Sequence, residues 1–215
     1  MLEVRNISSG YGKKQVLFNV SLTVKQGEVI LLTGGNGSGK STLLKCIYNL
    51  LPLWEGSIWF ENERIDNLNS YDLISKGIVY IPQKNFYFDS LNVEENLQVA
   101  GNIYNKKIMK LKIEKVFELT DLKKIKKRKP FDLSGGEKKI LGFGMAMLHD
   151  PKLVFFDEPF SGIDQSTSLK QQSIFKDFFI KNNIAVVLVE HKNSKHQLFS
   201  KQIILEYGTI KTNEI

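Results

Sequence analysis

Disulfide frameworks are excluded from the outset, because Cys46 is the one cysteine in the chain. It follows a Gly-rich loop in an apolar stretch and reads as a buried helix residue, with nothing pointing to zinc. Long hydrophobic runs are missing as well. No stretch approaches the ~18 apolar residues of a membrane span, and the N-terminus "MLEVRNISSG" lacks the form of a signal peptide. The chain is therefore expected to be soluble and to stay on the cytosolic side. Arginine is scarce: Arg5, Arg64 and Arg128 stand among 30 basic residues, and the rest are lysine. The net charge of +7 invites a nucleic-acid reading, but bidentate phosphate recognition favours arginine. The lysine excess, which comes with much asparagine, reads instead as a compositional bias. The densest basic run, "KKIKKRK" at 123–129, reads as a solvated surface, with acidic lipid headgroups or a partner as the alternative.

What is present is an ordinary globular balance over 215 residues, enough for one sizeable core. The first 30 or so residues read as strands: "EVRNIS", "VLFNVSLTV" and "EVILLT". The last runs into "GGNGSGKST" (34–42), and Leu43, Leu44, Ile47 and Leu50/Leu51 then recur at helical spacing. "GSIWFENERI" suggests a hairpin strand and "GIVYIPQ" (77–83) a buried strand. Residues 92–148 carry helical patterns and no convincing strand. "KLVFFDEP" (152–159) and "NIAVVLVEH" (183–191) return to buried, parallel-type strands that flank a helix near 166–182. Internal repeats, low-complexity linkers and long heptad runs are all lacking.

Gly34–Ser41 fits G-x-x-x-x-G-K-[ST] between a strand and a helix, the context a P-loop requires. In such a loop the backbone N–H groups of Gly34, Gly35, Asn36, Gly37, Ser38 and Gly39 converge on phosphate oxygens at the positive end of a helix. Lys40 can bridge the β- and γ-phosphates, Ser41 can ligate Mg²⁺, and Thr42 adds a hydroxyl near the α-phosphate. The chain is therefore read as binding a nucleoside triphosphate. In "LVFFDEP" the acids appear only at the C-terminal end of a buried strand, where an open α/β sheet presents its ligand. Asp157 is placed to hold Mg²⁺. Glu158, on the opposite pleat, is placed to polarise an attacking water. Gln83 could touch both Mg²⁺ and that water, and His191 could hydrogen-bond the γ-phosphate. Alone, each would be an unremarked surface residue. A second loop, Ser134-Gly135-Gly136 in "DLSGGEKK", has the make-up of an anion nest, and one domain has little use for two.

Taken in order, "GGNGSGKST", Gln83, "LSGGE", "LVFFDEP", "SGID" and His191 resemble the nucleotide-binding subunit of an ABC transporter over essentially the whole chain. "LSGGE", "GIVYIPQ" and "LNVEENL" are most similar to the ATPase subunits of branched-chain amino-acid importers and the lipopolysaccharide-export ATPase. The resemblance implies a head-to-tail dimer in which Ser134, Gly135 and Gly136, with Glu137 completing the signature, cap the ATP held by the partner's P-loop. It implies that Asp164 of "SGID" (161–164) runs along the dimer seam and that Tyr11 stacks on adenine, an ordinary strand-end tyrosine being the alternative. It also implies a separate transmembrane permease subunit, a second ATPase subunit, identical or not, and a peripheral position on the inner face of the cell membrane. Two positions depart from the common pattern: Glu137 where glutamine is usual, and Met145 where many relatives carry arginine.

The expected fold is α/β: a RecA-like P-loop NTPase core at about 1–83 and 151–215, with an N-terminal antiparallel β region and a helical subdomain at about 84–150, all in one domain. The expected chemistry is Mg²⁺-dependent ATP hydrolysis. "FYF" (Phe86–Phe88) is expected either to line a groove for a membrane partner or to pack inside the helical subdomain. Two alternatives are a soluble ABC-type ATPase acting on nucleic acid or ribosomes, which would carry a coiled-coil insertion or second cassette, and a P-loop metabolic kinase, which would need an arginine-bearing lid.

Overall fold

The computed structural model describes residues 1–84, 86–162, 165–190 and 198–211. Asp164 and His191 lie outside the described residues. Two sheets organise the chain. The first is antiparallel, in the order β2-β1-β4-β5, from β1 (Leu2–Tyr11), β2 (Lys14–Val24), β4 (Leu53–Phe60) and β5 (Glu63–Arg64). The second runs β10-β9-β3-β8-β7-β6, from β3 (Val29–Thr33), β6 (Ile78–Ile81), β7 (Leu153–Asp157), β8 (Ala185–Val189), β9 (Lys201–Glu206) and β10 (Thr209–Lys211). Its five neighbours from β9 to β6 are parallel, and only β10 is antiparallel.

The parallel strands are apolar throughout because both faces are covered. Period-two alternation sends Leu31, Val154, Phe156, Val186 and Leu188 into one core cluster and Ile30, Leu32, Phe155, Val187 and Val189 into the other. The second cluster also takes the inner face of the antiparallel sheet and α1 (Lys40–Ile47). Cys46 is buried there. The first cluster takes the helices: α3 (Val93–Ala100), α4 (Lys106–Leu119), α5 (Gly135–Met147) and α6 (Gln165–Phe175), the last running on into a π turn at Lys176–Ile180. The helical segment thus shares its core with one face of the sheet. Five phenylalanines knit the junction. Phe143 of α5 meets Phe156 of β7 edge-on at 5.0 Å, and Phe160, Phe175 and Phe179 close around them.

Helix starts follow capping chemistry. Asn92 and Glu95 form a reciprocal capping box on α3, and the Asn105 side chain accepts from the Ile108 N–H at the start of α4, each cap stabilising by about 1 kcal/mol. The expected strands and helices all form, with three differences. The helix after the P-loop stops at Ile47, because Asn49 takes a left-handed φ of 55°, and Leu50 is exposed rather than on an apolar stripe. A short α2 (Ser70–Ser75) precedes β6, and β9 and β10 add an edge to the parallel sheet. The Phe86–Phe88 cluster divides. Phe86 and Tyr87 pack on the core, while Phe88 is 55% exposed. The fully buried Asn96 fixes this loop, accepting from the Phe88 N–H at 2.7 Å and donating to the Phe88, Leu91 and Asn92 carbonyls.

Candidate active site

Strand register builds the site. Leu32, Val189 and Asp157 pair across neighbouring parallel strands, and Ile81 pairs with Phe156 one row below. The residues that follow, Gly34, Glu190, Glu158 and Gln83, therefore line one lip at the C-terminal edge of the sheet, where such sheets take their ligands. The pleat sorts them. Asp157 shares the face of Leu32 and Val189 and turns toward α1, while Glu158 and Glu190 turn toward α5.

On the α1 side, the loop between β3 and α1 is shaped by its glycines. A Cβ on Gly34 would lie 2.2 Å from the Leu205 carbonyl oxygen, and Gly39 takes a φ of 104° as the residue that opens α1. Lys40 is buried and donates to the carbonyls of Gly34 and Gly35 at 3.0 and 3.1 Å. Ser38 Oγ is buried without a hydrogen-bond partner, an orphan that a phosphate oxygen would satisfy. Gly35, Asn36 and Gly37 are exposed, Thr42 is buried, and the Ser41 hydroxyl lies close to the Asp157 carboxyl. Burial pushes the Asp157 carboxyl up, against the pull of Ser41, Lys45 and Lys40. A hydroxyl and a buried carboxylate held together are hard oxygen donors that suit Mg²⁺. The buried Tyr80 hydroxyl lies near Asp157, and burial together with that carboxylate raises its pKa. The loop and its neighbours thus fit both a nucleotide and its metal.

On the α5 side, Glu158 has a left-handed φ of 56° and donates its N–H to the Val189 carbonyl at 2.9 Å. Gln83 Nε2 donates to Glu158 Oε2, which leaves the Gln83 amide oxygen as an acceptor. Lys139 of α5 donates to the Glu158 carbonyl and to Ser161 Oγ. Burial lowers the Lys139 pKa, against the pull of Glu190, Glu158 and Asp157. Glu190 is 3% exposed and accepts from the Phe160 N–H at 2.8 Å. Burial pushes its pKa up to about 7; the Phe160 N–H and Lys139 oppose the rise, and Glu158 and Asp157 add to it.

The signature loop opens α5. The Ser134 side chain accepts from the Glu137 N–H, and the Glu137 carboxylate accepts from the Ser134 N–H at 2.7 Å and pairs with Arg128 at 3.0 Å. Glu137 is thus engaged in shaping the turn. Ser134 and Gly135 are exposed at the helix N-terminus. Behind them, a Cβ on Gly136 would lie 2.3 Å from the Thr167 methyl group, and the buried Gln171 donates to the Gly136 carbonyl. Tyr11 ends β1 with nearly half its surface exposed. Lys139, Glu190 and Tyr80 were not expected at the site. For Glu190 a signal existed, because an acid directly before His191 ends a wholly apolar strand.

Glu190 has a consequence for stability. Its carboxyl binds a proton more tightly folded than unfolded, so its contribution is full at acid pH and is lost as pH rises through about 7. Between about pH 5 and about pH 8 the wild-type Tm should fall more steeply than that of Glu190→Gln. The gap should grow to no more than about 3 kcal/mol. Parallel melting curves across that range would contradict the assignment.

Comparison with known proteins agrees with this geometry. The family described as ABC transporter matches residues 17–161. The high-affinity branched-chain amino acid transport ATP-binding protein BraG of Pseudomonas aeruginosa is 36% identical over 214 residues, covering 98% of this chain and 91% of that protein. A probable branched-chain amino acid transport ATP-binding protein, LivF of Archaeoglobus fulgidus, is 34% identical over 160 residues, covering 74% and 68%. Among solved structures, an ATP-binding cassette of an ABC transporter in its ADP conformation matches with a TM-score of 0.86 at 28% identity, covering 98% of this chain and 89% of that one. The chain belongs to the ABC transporter family, as an ATP-binding subunit, an ATPase that powers transport.

Proposed function

We propose that the residues along the sheet lip carry out Mg²⁺-dependent ATP hydrolysis in a head-to-tail dimer coupled to a transmembrane permease subunit. The observation that carries the reading is the convergence of Lys40 and Ser41, at the start of α1, with Asp157, Glu158 and Gln83 at the strand ends. The P-loop amides and Lys40 bind the β- and γ-phosphates, and Thr42 stands near the α-phosphate. Ser41, Asp157 and the Gln83 amide oxygen would hold the metal, which would offset phosphate charge. Glu158 is the general base that draws a proton from the attacking water, oriented by Gln83. His191 contacts the γ-phosphate, Asp164 lies on the dimer seam, and Tyr11 stacks on the adenine. Ser134, Gly135 and Gly136 read the phosphate held by the other subunit, and Glu137 sets their turn.

We further propose one ATPase domain, with its core at about 1–83 and 151–215 and a helical subdomain at about 84–150. The subunit sits peripherally on the inner face of the cell membrane through its permease. No helix among the described residues is long and apolar enough to cross a membrane, and the exposed Phe88, five residues after Gln83, offers an apolar contact. Phe88→Ser should weaken co-purification of the permease with ATP affinity intact, whereas Phe86→Ser should lower Tm by removing a ring packed on the core. Equal destabilisation by both would place Phe88 in the core and remove it from the interface.

Glu158→Gln should bind ATP normally but lose turnover by about 10²–10⁴-fold and accumulate as an ATP-bound dimer. Near wild-type phosphate release from that variant would remove Glu158 as the base.

The two phosphate loops are tested together by mixing. Ser134→Arg and Lys40→Ala should each be inactive as homodimers. In a mixed dimer one composite site carries both defects and the other carries neither. Random pairing of equal amounts gives about a quarter of all sites intact, because a two-fold interface is reciprocal. Mixing should restore activity up to about that fraction. A Ser134→Arg protein that dimerises on ATP and hydrolyses it normally would reduce the signature to a helix cap.

A further inference from the structure

The turn that carries Glu158 is gripped from two sides by residues outside the P-loop and metal chemistry. Lys139, five residues after Ser134 on α5, donates from Nζ to the Glu158 carbonyl and to Ser161 Oγ at 3.0 Å, and Ser161 Oγ donates in turn to the same carbonyl at 3.1 Å. From the end of β8, Glu190 Oε1 accepts the Phe160 N–H at 2.8 Å. Between these grips Glu158 keeps its left-handed φ of 56°. A non-glycine residue holds that conformation only where its surroundings determine it, and such residues cluster at working sites. An ammonium serves here as a compact donor able to reach a carbonyl and a hydroxyl at once. Lys139 also supplies positive charge beside three closely spaced acids, Asp157, Glu158 and Glu190.

We propose that Lys139 is a positioning residue for the catalytic carboxylate. By holding the Glu158 carbonyl from the signature helix of the same chain, it fixes the turn that aims Glu158 at the attacking water. This rests on Glu158 being the base. The position of α5 and the aim of the base are then one variable: a signature helix that shifts on meeting the partner's nucleotide carries the Glu158 turn with it. Glu190 is the counterpart on β8, and its charge is tolerated beside Asp157 and Glu158 because Lys139 offsets it.

Steady-state phosphate release by the full-length protein, measured across ATP concentrations beside ATP affinity and thermal melts, tests the proposal. Lys139→Met should lower kcat by about 10–100-fold, the loss that follows small misplacement of a reacting group, with KM, ATP affinity and Tm close to wild type. Lys139→Arg should recover most of the loss. Glu190→Gln placed in the Lys139→Met background should recover part of it, because the uncompensated acid is gone. A kcat within about twofold of wild type in Lys139→Met would overturn the proposal, as would a loss seen only as raised KM or lowered Tm, or one that Lys139→Arg leaves untouched. Glu158→Gln measured in parallel separates the two levels. Its retained turnover would sink the base itself, while its loss together with an active Lys139→Met protein would sink only the positioning role.

Discussion

The structure depends on the level register of its parallel strands. With Leu32, Val189 and Asp157 paired in one row, the chain leaves the sheet at one height on three strands. The loop after β6 joins the same lip, because Ile81 sits one row lower and Gln83 lies two residues further on. A one-residue slip of β7 would do more than misplace an acid. It would exchange the faces of Asp157 and Glu158, aiming the base at α1 and the metal ligand at α5. The slip is opposed by Phe155 and Phe156, which are fully buried in opposite cores. A slip would exchange the two rings between cores that are each packed to fit the ring now in place, at a cost of about 1–3 kcal/mol in misfit. Chemistry at the lip is thereby tied to packing beneath it.

Helix α5 carries that rigidity outward. Phe143 anchors its middle against Phe156 of the same strand that supplies Asp157, and Lys139, one turn nearer the N-terminus, reaches the backbone just beyond. Ser134 lies five residues earlier still, about 7.5 Å along the helix axis. One helix thus joins an aromatic anchor, a polar tie to the Glu158 turn and an exposed anion-reading end. Met145 fits this arrangement. It is buried in the core cluster, and the ion pair near the helix start is Arg128 with Glu137.

Much of this was legible in the sequence, and the limits have physical causes. Buried parallel strands announce themselves as apolar runs, and "VILLT", "IVYI", "LVFFD" and "AVVLV" all form. The P-loop is legible as a motif between a strand and a helix, and the acids after "LVFF" take their meaning from lying downstream of it. The strands β9 and β10, at one end of the sheet, are half-exposed, and "KQIILEYGTIK" carries little beyond short alternation. The end of α1 was overread because Leu50 and Leu51 continue the helical spacing, whereas Asn49 takes a left-handed turn that periodicity cannot register. Lys139 was hidden for a different reason. In "GGEKKIL" nothing separates a lysine aimed at a carbonyl from its solvated neighbour Lys138, since the difference lies in where the strands place Glu158. Split roles are equally opaque: "FYF" reads as one apolar cluster, yet Asn96 fixes the loop so that Phe86 turns inward and Phe88 outward.

The capping box at Ser134 explains why one chain carries two phosphate loops. At the P-loop, Lys40 lies curled on its own loop and the buried Ser38 hydroxyl lacks a partner. That loop is incomplete without an anion. At the signature, Glu137 already satisfies the Ser134 N–H, and Ser134 Oγ already accepts from the Glu137 N–H. The loop is complete as a fold, and what it offers outward is the Ser134 hydroxyl proton, the next N–H groups of α5 and the positive end of the helix dipole. In the proposed dimer the first site takes the nucleotide and the second meets an anion already held by the other chain. Two such half-sites on one chain are used most economically by a two-fold pair, in which each P-loop supplies the anion that the other chain's signature meets.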